Sequence, residues 1–544
     1  MKKTKRFSNI SILSGLVLLL WAMAGPPGPA VALDHSGSVS ENETWAVVDN
    51  PHVITGNVTV DNLVTLTLEP GVEVLFSGNY WIAAYGAILA EGTESDPIRF
   101  TRGPGVPFWY GLYLYEGSGG IFTHCLIEWA NYYGISADSC YLEVSDCTIR
   151  NNTTGLYAVT INPYLADNVF ENNTTGLRID SYYAPSAADE EMPTAGQNNI
   201  FRDNDTGIYF YDCIMSMVGG TAQITRNKLY GVLFSDCASP RVLADIFESG
   251  TGIYYLNCQD IYPLEGISLI GNTGAHGAVL VCNSGPVQFG TGNTIADNTC
   301  PISIDIASYA TETSIIPLTG NHTQGIQVFY GTGGQQDVTW YDLDLPYMVV
   351  NNLSVGASGS LTIEPGVEVR FGANLSLSII GDFQSNGSTE NGILMTRDQA
   401  ARWDHLGFSA GSTGSLSYTT IEFSDEGIYA NTAAPEIGYC MLMDNRIGYY
   451  GYANATSYIH DCLITDNSYG VSVRTGSDPV ISQNSIKQNF NYGVRQEDTS
   501  ITIDAEDNFW GDPSGPRHAS NPAGRGVFVS DYVDFDPWLS SDPL

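Results

Sequence analysis

Eleven glycines, each followed by Ala, Ile, Leu, Val or Tyr, recur along the chain at nearly one interval: Gly134, Gly155, Gly176, Gly207, Gly231, Gly252 and Gly277, then Gly427, Gly448, Gly470 and Gly493. The steps are 21, 21, 31, 24, 21 and 25 residues in the first group and 21, 22 and 23 in the second. A period of this size restricts the chain to a solenoid, in which each repeat is one unit stacked on the next. A repeat of about 22 residues is too short for a strand, a helix and ordinary loops, so the unit is built from strands.

Within a repeat an Asn stands three residues before the glycine and the residues after it alternate, as in Asn152-Thr-Thr-Gly-Leu-Tyr-Ala, Asn204-Asp-Thr-Gly-Ile-Tyr-Phe and Asn467-Ser-Tyr-Gly-Val-Ser-Val. Asn and Gly tolerate the left-handed backbone of a sharp turn, and alternation is the period of a strand. The residues one and three after each glycine are therefore expected to point inward. The stretch from Trp45 to Val529 then holds roughly 22 coils, a rod on the order of 100 Å long at ~4.8 Å per rung.

Three signatures carry a resemblance. The first is the opening Leu66-Thr-Leu-Glu-Pro-Gly-Val-Glu-Val-Leu-Phe76 with Asp96-Pro-Ile-Arg-Phe-Thr101. The second is the Asn-x-x-Gly coil, and the third is the closing Asn508-Phe-Trp-Gly-Asp-Pro-Ser-Gly-Pro516 with Val533-Asp-Phe-Asp-Pro-Trp-Leu539. The pattern resembles the right-handed parallel β-helix repeats of the pectin-lyase-like superfamily, specifically its uncharacterised secreted bacterial type. The resemblance implies an all-β parallel β-helix. It does not fix a reaction. The superfamily's hydrolases use paired aspartates with Gly-His-Gly, and this chain has neither Asp-Asp nor Gly-His-Gly. The Ca²⁺-binding acids of its lyases are not traceable either. A β-helix maturation factor for copper insertion is a third kinship, and no Met-, His- or Cys-rich soft-metal motif accompanies it.

The opening signature occurs twice at an offset of 295: Trp45 matches Trp340, Leu66-Thr-Leu-Glu-Pro-Gly-Val-Glu-Val matches Leu361-Thr-Ile-Glu-Pro-Gly-Val-Glu-Val, and Gly86, Gly92, Ile98 and Arg102 match Gly381, Gly387, Ile393 and Arg397. The chain is internally duplicated. Residues 1–32 read as a signal peptide, 33–335 as a first β-helix copy and 336–544 as a second copy with a closing segment. The division falls in the glycine-rich Gly331-Thr-Gly-Gly334.

Lys2, Lys3, Lys5 and Arg6, the apolar run Ile10 to Ala24 and Ala30-Val31-Ala32 have the three parts of an export signal. Without residues 1–32 the charge balance is 17 minus 59, or −42. The expected product is secreted, periplasmic or at the cell surface, with no transmembrane segment in the mature chain. Such acidity excludes nucleic acid and anionic membrane as partners and disfavours a long anionic polysaccharide unless Ca²⁺ bridges the two. Ca²⁺ is the one cofactor left open, at Asp504, Glu506 and Asp507 for instance.

Nine of the ten cysteines fall in nearly fixed phase. Cys140, Cys213, Cys237 and Cys258 lie six residues after a ladder glycine and Cys282 five, while Cys147, Cys440 and Cys462 lie eight before one and Cys125 nine. One phase is one place in the coil, so stacks of buried thiols are expected rather than disulfides. The excess length between Gly176 and Gly207 sits in Ser181 to Pro193, and insertions in a solenoid gather on one face, often the binding face.

Two residues after each glycine the side chain should face outward. That column reads Ser136, Tyr157, Arg178, Tyr209, Leu233, Tyr254 and Val279, then Tyr429, Tyr450, Ser472 and Arg495. Five of the eleven are tyrosine, enough to stack sugar rings at the rung spacing. Tyr157, Arg178, Tyr209, Tyr254, Tyr429 and Tyr450 are the candidate binding residues. Arg517 and His518 beside Asp512 form the densest group of catalytic residue types, inside the closing signature. Two readings result: a monomeric carbohydrate-binding or adhesive scaffold without catalysis, engaging a polysaccharide or cell-surface glycan, and a polysaccharide lyase or glycoside hydrolase.

Overall fold

The computed structural model describes residues 32–181, 197–313, 319–329, 332–334 and 336–544. The export signal and all but Ser181 of the inserted segment lie outside them. Among the described residues there are 57 short strands and one 3-10 turn, Val47–Asp49. At three strands per turn the chain makes about 19 turns, fewer than the roughly 22 expected, because several repeats carry longer corners than the 21-residue steps. Every strand pairing is parallel; Thr154–Val159, for example, lies between Ala130–Asp138 and Thr175–Asp180. The protein is a right-handed parallel β-solenoid.

The strands form three columns. The first contains Ile98–Arg102, Cys125–Glu128 and Thr148–Arg150. The second contains Trp109–Leu114, Ala130–Asp138, Thr154–Val159, Thr175–Asp180 and Thr206–Tyr211. The third contains Gly119–Thr123 and Tyr141–Ser145. As expected, the residues one and three after the ladder glycines other than Gly277 fill the interior: Leu156 with Ala158, Leu177 with Ile179 and Ile208 with Phe210 are buried. Like side chains stack from turn to turn, Phe170 on Phe201 with ring centres 4.9 Å apart and Phe210 on Phe234 at 5.2 Å. Such contacts add to the area term that dominates the stability of a dry core.

The glycines are required for a reason other than the expected turn. Gly134, Gly155 and Gly176 do not have left-handed backbones; a Cβ on Gly134 would meet the Gly155 carbonyl oxygen at 2.5 Å, and one on Gly155 would meet that of Gly176 at the same distance. Only a residue without a side chain lets the rungs close there. The left-handed residues precede the asparagines: Asn151 (φ 57°), Asn172 (φ 55°) and Asp203 (φ 57°). The asparagines themselves face inward as an amide ladder. Asn152 Oδ1 accepts from the Ala130 backbone N–H at 2.8 Å, Asn173 Oδ1 from Asn152 N–H at 2.9 Å and Asn204 Oδ1 from Asn173 N–H at 2.9 Å, while each Nδ2 donates back to a carbonyl of the rung before. The corner's buried polar groups are thereby satisfied within the stack.

The cysteines are free thiols. Cys213, Cys237 and Cys258 occupy one corner position, continued by Ser284, whose Oγ accepts from the Cys258 N–H at 2.9 Å. Cys282 does not belong to that stack: it lies on Val279–Cys282, paired with Leu256, because Gly277 is out of phase with the ladder. Gly277 has φ 62° and lies in a turn, and Ala278 takes the place aligned with Gly252.

The duplication is visible as repeated geometry. Trp109 stacks on Phe76 with ring centres 4.0 Å apart and donates Nε1–H to Glu128 O at 2.8 Å; Trp403 stacks on Phe371 at 4.3 Å and donates to Glu422 O at 2.8 Å. The copies are joined with a shift. Ile302–Ile304 of the second column pairs with Ile326–Val328, that strand with Tyr347–Val349, and that with Glu368–Phe371. Glu368–Phe371 is the counterpart of Glu73–Phe76, a first-column strand. Strand pairing therefore runs unbroken across the junction, and the second copy is rotated by one column relative to the first.

Candidate functional site

The second column turns a band of aromatic side chains outward. The register Tyr113–Ser136–Tyr157–Arg178–Tyr209–Leu233–Tyr254 places these residues one above another, half-buried, between fully buried neighbours. This is the column expected from the glycine phase, with one correction. Val279 is inward and buried, and Leu280 aligns with Tyr254, because of the misphased Gly277.

Arg178 is the centre of the band. Its Nε and Nη2 donate to Asp180 Oδ1 and Oδ2 at 2.8 Å each, and its guanidinium carbon lies 4.9 Å from the ring centre of Tyr209 and 5.5 Å from that of Tyr157. The Tyr157 hydroxyl donates to Asp180 Oδ2 at 3.0 Å. A strand carries residues i and i+2 on the same face, which is why Arg178 and Asp180 meet. Burial, then the nearby Asp180 carboxylate and its hydrogen bond, push the Tyr157 hydroxyl up to about 12. Burial likewise raises Tyr209, Tyr113 and Tyr254.

The band widens toward the N-terminal end. Tyr133 stacks on Tyr157 at 4.8 Å, Tyr110 lies 4.7 Å from Tyr132, Tyr85 stacks on Tyr115 at 4.9 Å and Trp81 meets Tyr110 edge-on at 5.6 Å. Apart from Tyr157, none of these, nor Asp180 and Tyr211, stood out from the glycine phase alone, since they occupy flanking outward positions on or beside the same strands. The repeated Arg178-x-Asp180 and Tyr209-x-Tyr211 spacings were the available signal.

Tyr429 and Tyr450 stack on each other with ring centres 5.7 Å apart, and Arg474 Nη1 donates to the Tyr450 hydroxyl at 3.1 Å. They do not extend the first band. Their strands form a separate column that runs from Leu353–Val355 through Ser424–Asn431, whereas the strand column of the first band continues through Leu280, Ser303 and Gln327 onto Met348 and Arg370, with Leu280, Ser303 and Met348 buried. The single stripe read from the sequence is two stripes on different faces, and its Ser472 is buried.

Each member of the closing-signature group has partners of its own: His518 Nδ1 meets Ser520 Oγ at 2.7 Å and its Nε2 meets Asp531 at 3.2 Å, Arg517 covers Phe528, and Asp512 binds Ser514 at 2.5 Å. Among the described residues no three His, Cys, Asp or Glu side chains converge as metal ligands, Asp504, Glu506 and Asp507 included. No helix among them is long and apolar enough to cross a membrane.

A parallel β-solenoid with an aromatic outer face is the class that fold and site define. The model of the right handed beta helix region matches residues 106–247 and 364–510, more than half of the chain, and the chain belongs to that family. No curated protein matches it in sequence. Among solved structures it is similar to a point mutant of the PL6 family alginate lyase AlyGC, at 9% identity over 82% of this chain and 91% of that one, with a TM-score of 0.22. AlyGC itself is similar at 10% identity over 87% and 98%, with a TM-score of 0.19. Likeness at this level carries no argument about this chain.

Proposed function

We propose that the protein is an exported, monomeric β-helix scaffold that binds a neutral polysaccharide or cell-surface glycan along the aromatic face of its second column, without catalysis. The observation that carries this reading is the vertical series Tyr113, Ser136, Tyr157, Arg178, Tyr209, Leu233 and Tyr254 on consecutive paired strands, in which four of the seven positions are tyrosine. Rungs repeat at ~4.8 Å, close to the advance of one sugar ring, so flat phenols can stack on pyranose faces while their hydroxyls bond sugar hydroxyls. Arg178 adds a planar donor face whose charge Asp180 cancels. That cancellation and the surplus of 59 acidic over 21 basic residues favour a neutral polymer over an anionic one.

The test is incubation of the protein with a panel of polysaccharides, reading both retention on the polymer and release of unsaturated or reducing ends. Retention on a neutral polymer without new ends supports the reading. Release of ends would replace it with a lyase or hydrolase, and no retention on any polymer would remove it.

A further inference from the structure

The duplication supplies an internal template for a second site, on the corner between the first and second columns. In the second copy Arg402, immediately before the buried Trp403, reaches along that corner and donates Nη1–H to Ser424 O at 2.9 Å and to Asp444 O. Its counterpart in the first copy is Phe108, immediately before Trp109. The acceptors also have counterparts. Ser424 O accepts from Arg446 N–H and its own N–H bonds Asn445 Oδ1, just as Ala130 O accepts from Thr153 N–H and its N–H bonds Asn152 Oδ1. Asp444 (φ 54°) corresponds to Asn151 (φ 57°).

In the first copy this corner is an open groove of about 420 Å³, lined by Phe108, Trp129, Ala130, Asn131, Asn151 and Thr153 among others. Phe108 leaves its ring exposed at the rim instead of filling it. We propose that the groove receives an arginine side chain of a partner polypeptide, which takes the place that Arg402 occupies in the second copy. The guanidinium is a flat fork of donors suited to two carbonyls held at fixed spacing, and Phe108 offers a π face beside it.

Arg102 and Lys228 also line the groove, and neither bars a cation. Lys228 Nζ is 2.8 Å from Asp205 Oδ1. Arg102 lies over the Trp129 ring, 3.8 Å from its centre, and Arg397 lies over Phe423 at 4.0 Å in the copy where Arg402 is seated. Two guanidiniums thus coexist at this corner in the second copy. The field of a chain with a formal charge of −38 draws a basic partner toward it.

The experiment titrates the full chain with N-acetyl-argininamide and, as control, N-acetyl-lysinamide at ~0.15 M salt, which screens non-specific attraction. The expected results are one site per chain, arginine favoured over lysine about tenfold or more, loss of that site in Phe108→Arg, and a second equal site in Arg402→Phe. Equal binding of the two probes, or an arginine site untouched by Phe108→Arg in a protein that still melts cooperatively, would overturn the assignment. Should Phe108→Arg not fold, the stoichiometry of Arg402→Phe decides: two sites support the groove and one refutes it. Glycan retention is read in parallel on the same variants, whose substitutions leave Tyr157, Arg178, Tyr209 and Tyr254 in place, so loss of the arginine site with glycan retention intact separates the two readings.

Discussion

Arg178 grips Asp180 with two nitrogens at 2.8 Å each, and the pair lies between the rings of Tyr157 and Tyr209 on the outside of the solenoid. Asp180 is only 6% exposed, so removing its charge leaves the guanidinium without its fork partner in a half-dry setting. Asp180→Asn is expected to cost about 1 kcal/mol, below the ~1.5–3 kcal/mol range of a buried charged hydrogen bond because Arg178 is partly solvated. Thermal melting measures that cost. Retention on a neutral polysaccharide should fall as well, since Arg178 is no longer held flat.

The outward tyrosines separate folding from binding. Tyr209→Ala combined with Tyr254→Ala should weaken glycan retention while leaving the melting temperature nearly unchanged, because half-exposed residues usually move stability by no more than ~0.5 kcal/mol. Unchanged retention in the double variant would detach the aromatic face from function.

Alkaline pH should loosen the same face. Tyr157 titrates at about 12 in the folded protein against an ordinary value of 10, so the unfolded chain gives up this proton first. The stabilisation is full below pH 10 and is lost as pH rises toward 12. Absorbance of tyrosinate during a pH titration should show a late fraction, and Tyr157→Phe should reduce it. A single unshifted transition near 10 for every tyrosine would contradict the burial described.

The glycine stack sets a sharp contrast. Gly155→Ala drives a methyl into the Gly176 carbonyl at 2.5 Å, and an overpacked rung should cost about 1–3 kcal/mol. Gly119→Ala, with nothing within 4 Å of the new Cβ, should be close to neutral. Urea melts of the two variants side by side check the difference.

In the amide ladder, Asn204→Ala strips the acceptor from the buried Asn173 N–H and should cost about 1–3 kcal/mol. The thiols behave otherwise. All ten should titrate after denaturation, while native protein reacts slowly because eight of them are buried. Fewer than ten would mean that disulfides form. Cys237→Ala should cost only about 1 kcal/mol, the penalty of a small cavity.

Much of this fold was legible from residues alone, because alternation after each glycine is a local signal: Leu156 and Ala158 turned inward where the period placed them. The glycine's reason was not legible. Close approach of Gly134 to the Gly155 carbonyl is a relation between rungs, and nothing in Asn-Thr-Thr-Gly distinguishes it from a tight turn. Gly277 misled for the same reason, since a turn glycine and a stacking glycine look alike in sequence. At the candidate site the column Tyr157, Arg178, Tyr209 and Tyr254 could be read, but its separation from Tyr429 and Tyr450 could not. That separation depends on which column the second copy starts from, and the pairing of Ile326–Val328 with Tyr347–Val349 decides it.

The one-column rotation between the copies has a mechanical consequence. Two aromatic faces on one stiff rod look in different directions, so a single polymer strand cannot lie along both. A scaffold built this way would engage two strands at once, and its effect on a polysaccharide solution would be that of a cross-link, thickening it at low protein concentration through valency rather than through the strength of either contact.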